Sequence, residues 1–280
     1  MHERRQLTVE GLTLAYAQAG EGRPVVLLHG ALTSLDDMMI ALGDVLSDGR
    51  QVIAFDRPGN GSSERSATSG SLWVQARLIK RGLEALGVRR PILVGHSLGG
   101  AVAMAMAALA PEDVAGVVAL GPIAFPEARL EMLLFGPRAT PVVGDAASYA
   151  AMPIDALIMP VLWRGMFAPQ TLPDAFRAAY PTDQAGERAR LRAVGEEAAW
   201  LVADMTRLAT TFAVCRTPVH VLCGDADLVV NPALHGRLLA RVAPQATFRA
   251  AAGVGHMVHH IRPDLVLDAV LDLERAAVIA

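Results

Sequence analysis

The chain has little of what a disulfide scaffold or a metal cluster needs. Of its 280 residues only two are cysteine, Cys215 and Cys223, and they follow no metal-ligand spacing. Cys223 lies in an apolar run, the setting of a reduced core residue. Charge is also scarce: 19% of residues are charged, the net charge is −3, and no basic stripe is present. A nucleic-acid partner is therefore not expected. Long apolar runs are missing as well. The opening "MHERRQLTVE" has no apolar signal-peptide core, and "AVAMAMAALA" at 101–110 is about half the length of a membrane span. Neither a targeting segment nor a span is expected, and the expected location is the cytoplasm. No internal repeat or low-complexity segment interrupts the chain.

What is there is apolar. Hydrophobic residues make up 52% of the sequence, enough to bury a large core, and the length suits one α/β domain with or without an insertion. The hydrophobic period alternates between strand and helix. "RQLTVE" and "LTLAYAQ" read as a hairpin joined at Glu10-Gly11. "PVVLLHG" (24–30) reads as a strand buried on both faces, followed by a helix at 34–46 with Ser34 as its N-cap. Then come "QVIAFD" (51–56), a helix near 72–86, "PILVGH" (91–96), a helix from Ser97, and "VAGVVALG" (114–121). Such alternation specifies a mostly parallel, doubly wound sheet. It stops after Phe125. Residues 126–207 carry prolines and helical pieces without a strand pattern, which resumes at "PVHVLCG" (218–224) and ends with "ATFRAA" and a helix from Pro263. The expected organisation is a core in two parts, 1–125 and 208–280, with a helical insertion at 126–207.

"GHSLGG" places Ser97 where a strand turns sharply into a helix. A residue at that apex is strained, and its neighbours two positions away lie very close to one another, a crowding that small side chains relieve, here Gly95 and Gly99. The helix aims unpaired N–H groups and its positive dipole end at the apex. A serine there acts as a nucleophile only if a base takes its proton and a third group orients that base. His256, in "GVGHMVHH", lies between the last strand and the last helix. Asp225 or Asp227, in "HVLCGDADLVVNP", stands after the preceding strand. Serine, acid and histidine thus follow the chain order expected for this elbow. Gly30 in "LLHGALTS" lets the Ala31 N–H join the Leu98 N–H as a pair of oxyanion donors. His256 and His260 are four apart, a spacing that suits zinc on a helix, but no third ligand stands out. No metal or cofactor is expected. His259 and His260 read as solvated residues at a helix start, Asp225 as a turn cap, and His29 and His96 as packing residues.

Taken together, "HGALTS", "FDRPGNGSS", "GHSLGG", "GDADLVVNP" and "GHMVHHIRPD" resemble the α/β-hydrolase superfamily in family order. The resemblance implies an α/β-hydrolase fold of about eight strands, with a helical cap inserted after strand six. It implies that Ser97 is the nucleophile, Asp227 the triad acid and His256 the base. The spacing from Gly224 matches Asp227, and "GPIAF" after the sixth strand offers no alternative acid. Asp56 and Arg57 match a structural loop of the family. Serine at the elbow departs from dehalogenases and epoxide hydrolases, which carry aspartate there. The implied activity is ester hydrolysis through an acyl-enzyme, on a small to medium apolar substrate, by a monomer or homodimer. Alternatives are a carbon–carbon hydrolase, a perhydrolase or acyltransferase, or a non-catalytic receptor on the same fold. Trp163 and Phe167, in "MPIDALIMPVLWRGMF", are expected in the pocket wall.

Overall fold

The computed structural model describes residues 3–140, 143–180 and 188–279, so parts of the expected insertion, 141–142 and 181–187, lie outside the described residues. A hairpin opens the chain: β1 (Arg5–Val9) and β2 (Leu12–Ala19) pair antiparallel around Glu10 and Gly11, which both take positive φ. β3 (Arg23–Leu28), α1 (Leu35–Leu46), β4 (Arg50–Phe55), α2 (Leu72–Ala85), β5 (Ile92–His96), α3 (Leu98–Leu109) and β6 (Gly116–Leu120) then alternate. Four helices follow without an intervening strand among the described residues: α4 (Leu130–Leu134), α5 (Gly144–Phe167), α6 (Asp174–Ala179) and α7 (Arg188–Phe212). β7 (Val219–Gly224), a π turn at Ala233–Leu238 running into α8 (Leu239–Val242), β8 (Ala246–Ala251), α9 (Val258–Ile261) and α10 (Pro263–Ile279) finish the chain.

The strands form one eight-stranded sheet in the order β1-β2-β4-β3-β5-β6-β7-β8, antiparallel at β1-β2 and β2-β4 and parallel from β4 onward. Successive residues of a strand face opposite sides. Val26 and Leu28 of β3 join the core under α2, α3 and α7, while Val25 and Leu27 join the core under α1 and α10. The run "VVLL" is apolar at every position because both faces are covered. α3 is apolar all round and almost wholly buried, which locks its first turn against the sheet. Ser34 stands at the N-cap of α1, as its type suggests, but its hydroxyl donates to Asp36 at 3.2 Å rather than capping the helix.

α5 contains Pro153 and Pro160, and its halves, Gly144–Asp155 and Leu157–Phe167, are bent by 72°. No single described helix is long and apolar enough to cross a membrane. A third cluster joins Met159, Trp163, Met166 and Phe167 of α5 to Phe176 of α6, Tyr180 and the start of α7. It lies beside the carboxyl ends of the parallel strands, where Leu32 and Met257 touch it.

Candidate active site

β5 delivers Ser97 to the start of α3. Its backbone has φ 52° and ψ −117°, a region that costs an L-residue about 1–3 kcal/mol. The surroundings hold it there. The Ser97 N–H donates to the Leu120 carbonyl at 2.8 Å, and the Ser97 carbonyl accepts from the N–H groups of Gly100 and Ala101 at 3.0 and 3.3 Å. Gly95 and Gly99 are required by close approach. A Cβ on Gly95 would sit 2.3 Å from the Gly99 carbonyl oxygen, and one on Gly99 would sit 2.3 Å from that of Leu28.

The loop after β7 carries both candidate acids and separates them. Asp225 accepts the Gly253 N–H at 2.6 Å, a link between two loops. One oxygen of Asp227 accepts the N–H groups of Val229 and Val230 at 2.8 and 2.9 Å, and the other meets Nδ1 of His256 at 2.8 Å. Burial pushes the Asp227 carboxyl up, but the imidazole and the two amides outweigh it and hold the group below the usual carboxylate range. An ionised Asp227 fixes the proton on Nδ1, leaving Nε2 of His256 as the acceptor. Ser97 and His256 line the same cavity. Among the described residues no hydrogen bond joins them.

The loop after β3 carries Ala31 to the same cavity. Among the described residues, neither the Ala31 nor the Leu98 N–H donates to a protein acceptor. This loop is held by Arg57, a fully buried side chain. Arg57 donates to the carbonyls of His29 and Gly30 at 2.7 and 3.0 Å, and to Gln75 at 2.7 Å. It also pairs at 2.5 Å with Glu197 of α7, whose same oxygen accepts from Asn60 and Gln75 at 3.1 Å each. His29 Nε2 accepts the Arg57 N–H at 3.0 Å, so its Nδ1–H donates to the Gly30 carbonyl at 2.7 Å. Burial and the neighbouring guanidinium keep His29 neutral, far below the usual imidazole range. Arg57 thus ties the backbone that presents Ala31 to a helix 140 residues further along the chain.

Behind His256 lies a set of closely packed imidazoles, tilted against one another. His96 packs 4.5 Å from the His256 ring and 4.4 Å from the His259 ring, centroid to centroid, and its Nε2–H donates to the His256 carbonyl at 3.2 Å. Burial holds His96 neutral. His259 and His260 are not solvated, contrary to the expectation from sequence. Both are buried at their side chains and meet the carboxylate of Asp37 in α1 at 3.3 and 2.7 Å. Burial raises the Asp37 carboxyl, but these two imidazoles outweigh it and hold it well below the carboxylate range. The pairing of His256 and His260 as zinc ligands fails on direction, since one turns to Asp227 and the other to Asp37. Asp37, His96 and His259 do place one ligand-type atom each within 4.8 Å of one another, with the carboxylate already taken up by histidine nitrogens.

The cavity has a volume of about 880 Å³. Ser97, Asp227 and His256 lie on its wall with Ala31, and Leu134, Phe135, Leu162 and Met166 line it from the side of α4 and α5. Trp163 and Phe167, expected in that wall, are not among its lining residues. They face the other way on α5 and pack at a tilt against Phe176, at centroid distances of 5.4 and 5.0 Å. A helix turns its side chains by 100° per residue, so Leu162 and Met166 take the cavity face that their neighbours vacate. Sequence reasoning missed Glu127 and Arg129, charged lining residues paired with each other at 2.5 Å, with Glu127 also 3.0 Å from His235. Their mutual pair is local, but the contacts that set them at the cavity, Glu127 with His235 and Arg129 with the Val229 carbonyl, come from a distant segment that no local pattern reveals.

Residues 23–138 match the sequence model of the family described as the alpha/beta hydrolase fold. Among relatives, an acetyltransferase component of an acetoin cleaving system from Cupriavidus necator is 36% identical over 121 residues, covering 43% of this chain and 32% of that protein. The chain therefore spans about a third of that relative's length. An uncharacterized protein of Mycobacterium tuberculosis is 29% identical over 280 residues, 94% of this chain and 78% of that one. The 2-hydroxy-6-oxo-6-phenylhexa-2,4-dienoate hydrolase of Comamonas testosteroni is 34% identical over 111 residues, 38% of this chain and 39% of that enzyme. Among solved structures, an epoxide hydrolase aligns with a TM-score of 0.79 at 22% identity, covering 98% of both chains. An alpha/beta hydrolase fold protein from Burkholderia ambifaria aligns at 0.78 and 23%, covering 97% of this chain and all of that one.

Proposed function

We propose that this chain, which has the α/β-hydrolase fold, is a serine hydrolase cleaving carboxylic esters through an acyl-enzyme. The observation that carries this reading is the meeting of Ser97, Asp227 and His256 on one cavity wall, with Asp227 bonded to Nδ1 of His256 at 2.8 Å. In the proposed cycle Nε2 of His256 takes the Ser97 proton as Oγ attacks the ester carbonyl carbon. The carbonyl π electrons move onto oxygen, where the Ala31 and Leu98 amides receive them. The imidazolium then protonates the departing alkoxide, and the bond to the alcohol breaks. A water molecule, deprotonated by His256, attacks the acyl-enzyme, and Ser97 recovers its proton as the carboxylic acid leaves. Asp227 stays ionised throughout. No step calls for a metal or cofactor.

The segment 126–207 acts in this reading as a cap that shapes the acyl site through Leu134, Leu162 and Met166. The apolar lining suits a small to medium apolar substrate. A second reading, hydrolysis of a carbon–carbon bond by the same three residues, is favoured by the similarity to the Comamonas enzyme. Turnover of p-nitrophenyl esters of graded acyl length, beside a hydroxy-oxo-dienoate of the kind named for that relative, separates the two. Ester turnover with no dienoate cleavage supports the first, and the reverse supports the second. Turnover of neither, by protein that binds one of them, supports a receptor.

A further inference from the structure

The helix α5 carries apolar side chains on both faces. Inward, Met159, Trp163, Met166 and Phe167 are buried. Outward, Tyr149, Met152, Ile154, Leu157 and Val161 are 50–76% exposed. Leu157 and Val161 follow one another at helical spacing in the second half, with Pro160 exposed beside them, and Met152 and Ile154 flank the exposed Pro153 in the first half, so the exposed apolar side chains form a stripe along both halves that is broken at the bend. Exposed apolar side chains are ordinarily scattered over a soluble surface. Here, seven of the thirteen large apolar side chains that stand exposed among the described residues fall between 133 and 161.

The stripe also lacks charge. Between Asp145 and Arg164 the only charged residue is Asp155, which is buried and paired with Arg138 at 2.5 Å. Taken together, the two halves of α5 have the hydropathy of a membrane span, yet the bend of 72° keeps them from forming a straight one. The stripe is continuous with the cavity, because Val161 is both exposed and part of the cavity lining, next to Leu162.

We propose that the outward face of α5 docks this protein on the surface of a neutral lipid layer, with the cavity mouth beside the point of contact. Partner chemistry follows from the face itself. An uncharged stripe offers nothing to an acidic or basic protein surface, or to an anionic headgroup as such. A specific protein interface also brings about one hydrogen bond per 100–200 Å², and Tyr149 supplies the one side-chain hydroxyl among the exposed residues of this stripe. Burying an apolar helix face at the acyl boundary needs no such partners. Arg164, near one end of the stripe, is an exposed amphipathic side chain that keeps its charged tip in water. An apolar ligand leaving the lipid would pass along Leu157 and Val161 into the cavity without crossing water.

The proposal reads out as binding and stands apart from the chemistry at Ser97. The full chain is mixed with phosphatidylcholine vesicles and separated by flotation, as wild type and as the double variant Ile154→Asp/Leu157→Asp. The milder Ile154→Ser/Leu157→Ser pair is run in parallel, and thermal melts show that each protein is folded. Neither residue lines the cavity. Wild type is expected to float with the vesicles, and to do so equally when salt is raised to about 0.5 M. The aspartate pair is expected to bind at least about tenfold more weakly, with the serine pair between. Absence of wild-type binding overturns the proposal, as does binding that either folded double variant leaves unchanged. A wild-type dimer in light scattering that the variants dissociate, without vesicle binding, assigns the face to self-association instead.

Discussion

Asp227 and His256 are bonded at 2.8 Å, while Asp225, two residues earlier, turns away to accept the Gly253 N–H. The loop after β7 therefore divides two similar carboxylates between two tasks. Asp227→Asn keeps the shape but favours the wrong imidazole tautomer, and kcat is expected to fall by up to about 10⁴-fold. Asp225→Asn weakens a loop contact, and is expected to cost about 1 kcal/mol with kcat nearly unchanged. Measuring kcat and Tm for both variants checks the division. A collapse of kcat confined to Asp225→Asn reverses it.

Arg57 and Glu197 yield a second contrast. Arg57→Met leaves Glu197 buried without its cation and frees the His29 and Gly30 carbonyls. It is expected to cost about 3–5 kcal/mol and to lower kcat by disordering the Ala31 loop. Glu197→Gln removes the same ion pair but leaves the two loop carbonyls bound by Arg57. It is expected to lower Tm with a smaller change in kcat. Thermal melts beside steady-state kinetics test the pair.

Acid stability should depend on Asp37. Its folded-state carboxyl lies below the ordinary range, so its stabilisation is fully present above about pH 4 and is lost as pH falls through the folded value. Asp227 acts in the same direction. The drop in Tm between about pH 7 and pH 3.5 is expected to be smaller in Asp37→Asn than in wild type. An equal drop shows that the carboxylate is not responsible.

Leu162 and Met166 line the cavity, and Trp163 does not. Met166→Ala is expected to shift kcat/KM toward longer acyl groups by about tenfold. Trp163→Ala is expected to cost about 3–5 kcal/mol of stability with acyl preference unchanged. Kinetics over a series of p-nitrophenyl esters, beside thermal melts, separate the two outcomes.

Much of this architecture is legible in the sequence because it is local. Apolar runs of strand length alternate with helical periods, and Gly95 and Gly99 flank Ser97 at a spacing that sterics demand. Chain order then points to an acid after β7 and a histidine after β8, and the structure brings Ser97, Asp227 and His256 to one cavity. The pairs that are not local are illegible. Arg57 meets Glu197 across 140 residues, and Asp37 meets His259 and His260 across more than 220. Two adjacent histidines look like a solvated helix start until a buried carboxylate from α1 is placed against them. Trp163 and Phe167 show a similar limit: a single sequence reveals that α5 is apolar on several sides, but not which side faces the cavity.

The central claim is that Ser97 is the covalent nucleophile. Its most direct test is mass spectrometry after treatment of the active protein with a fluorophosphonate probe. The expected result is one adduct, on the peptide carrying Ser97, with labelling and turnover both abolished in Ser97→Ala. An adduct at another serine, or full turnover by Ser97→Ala, contradicts the account.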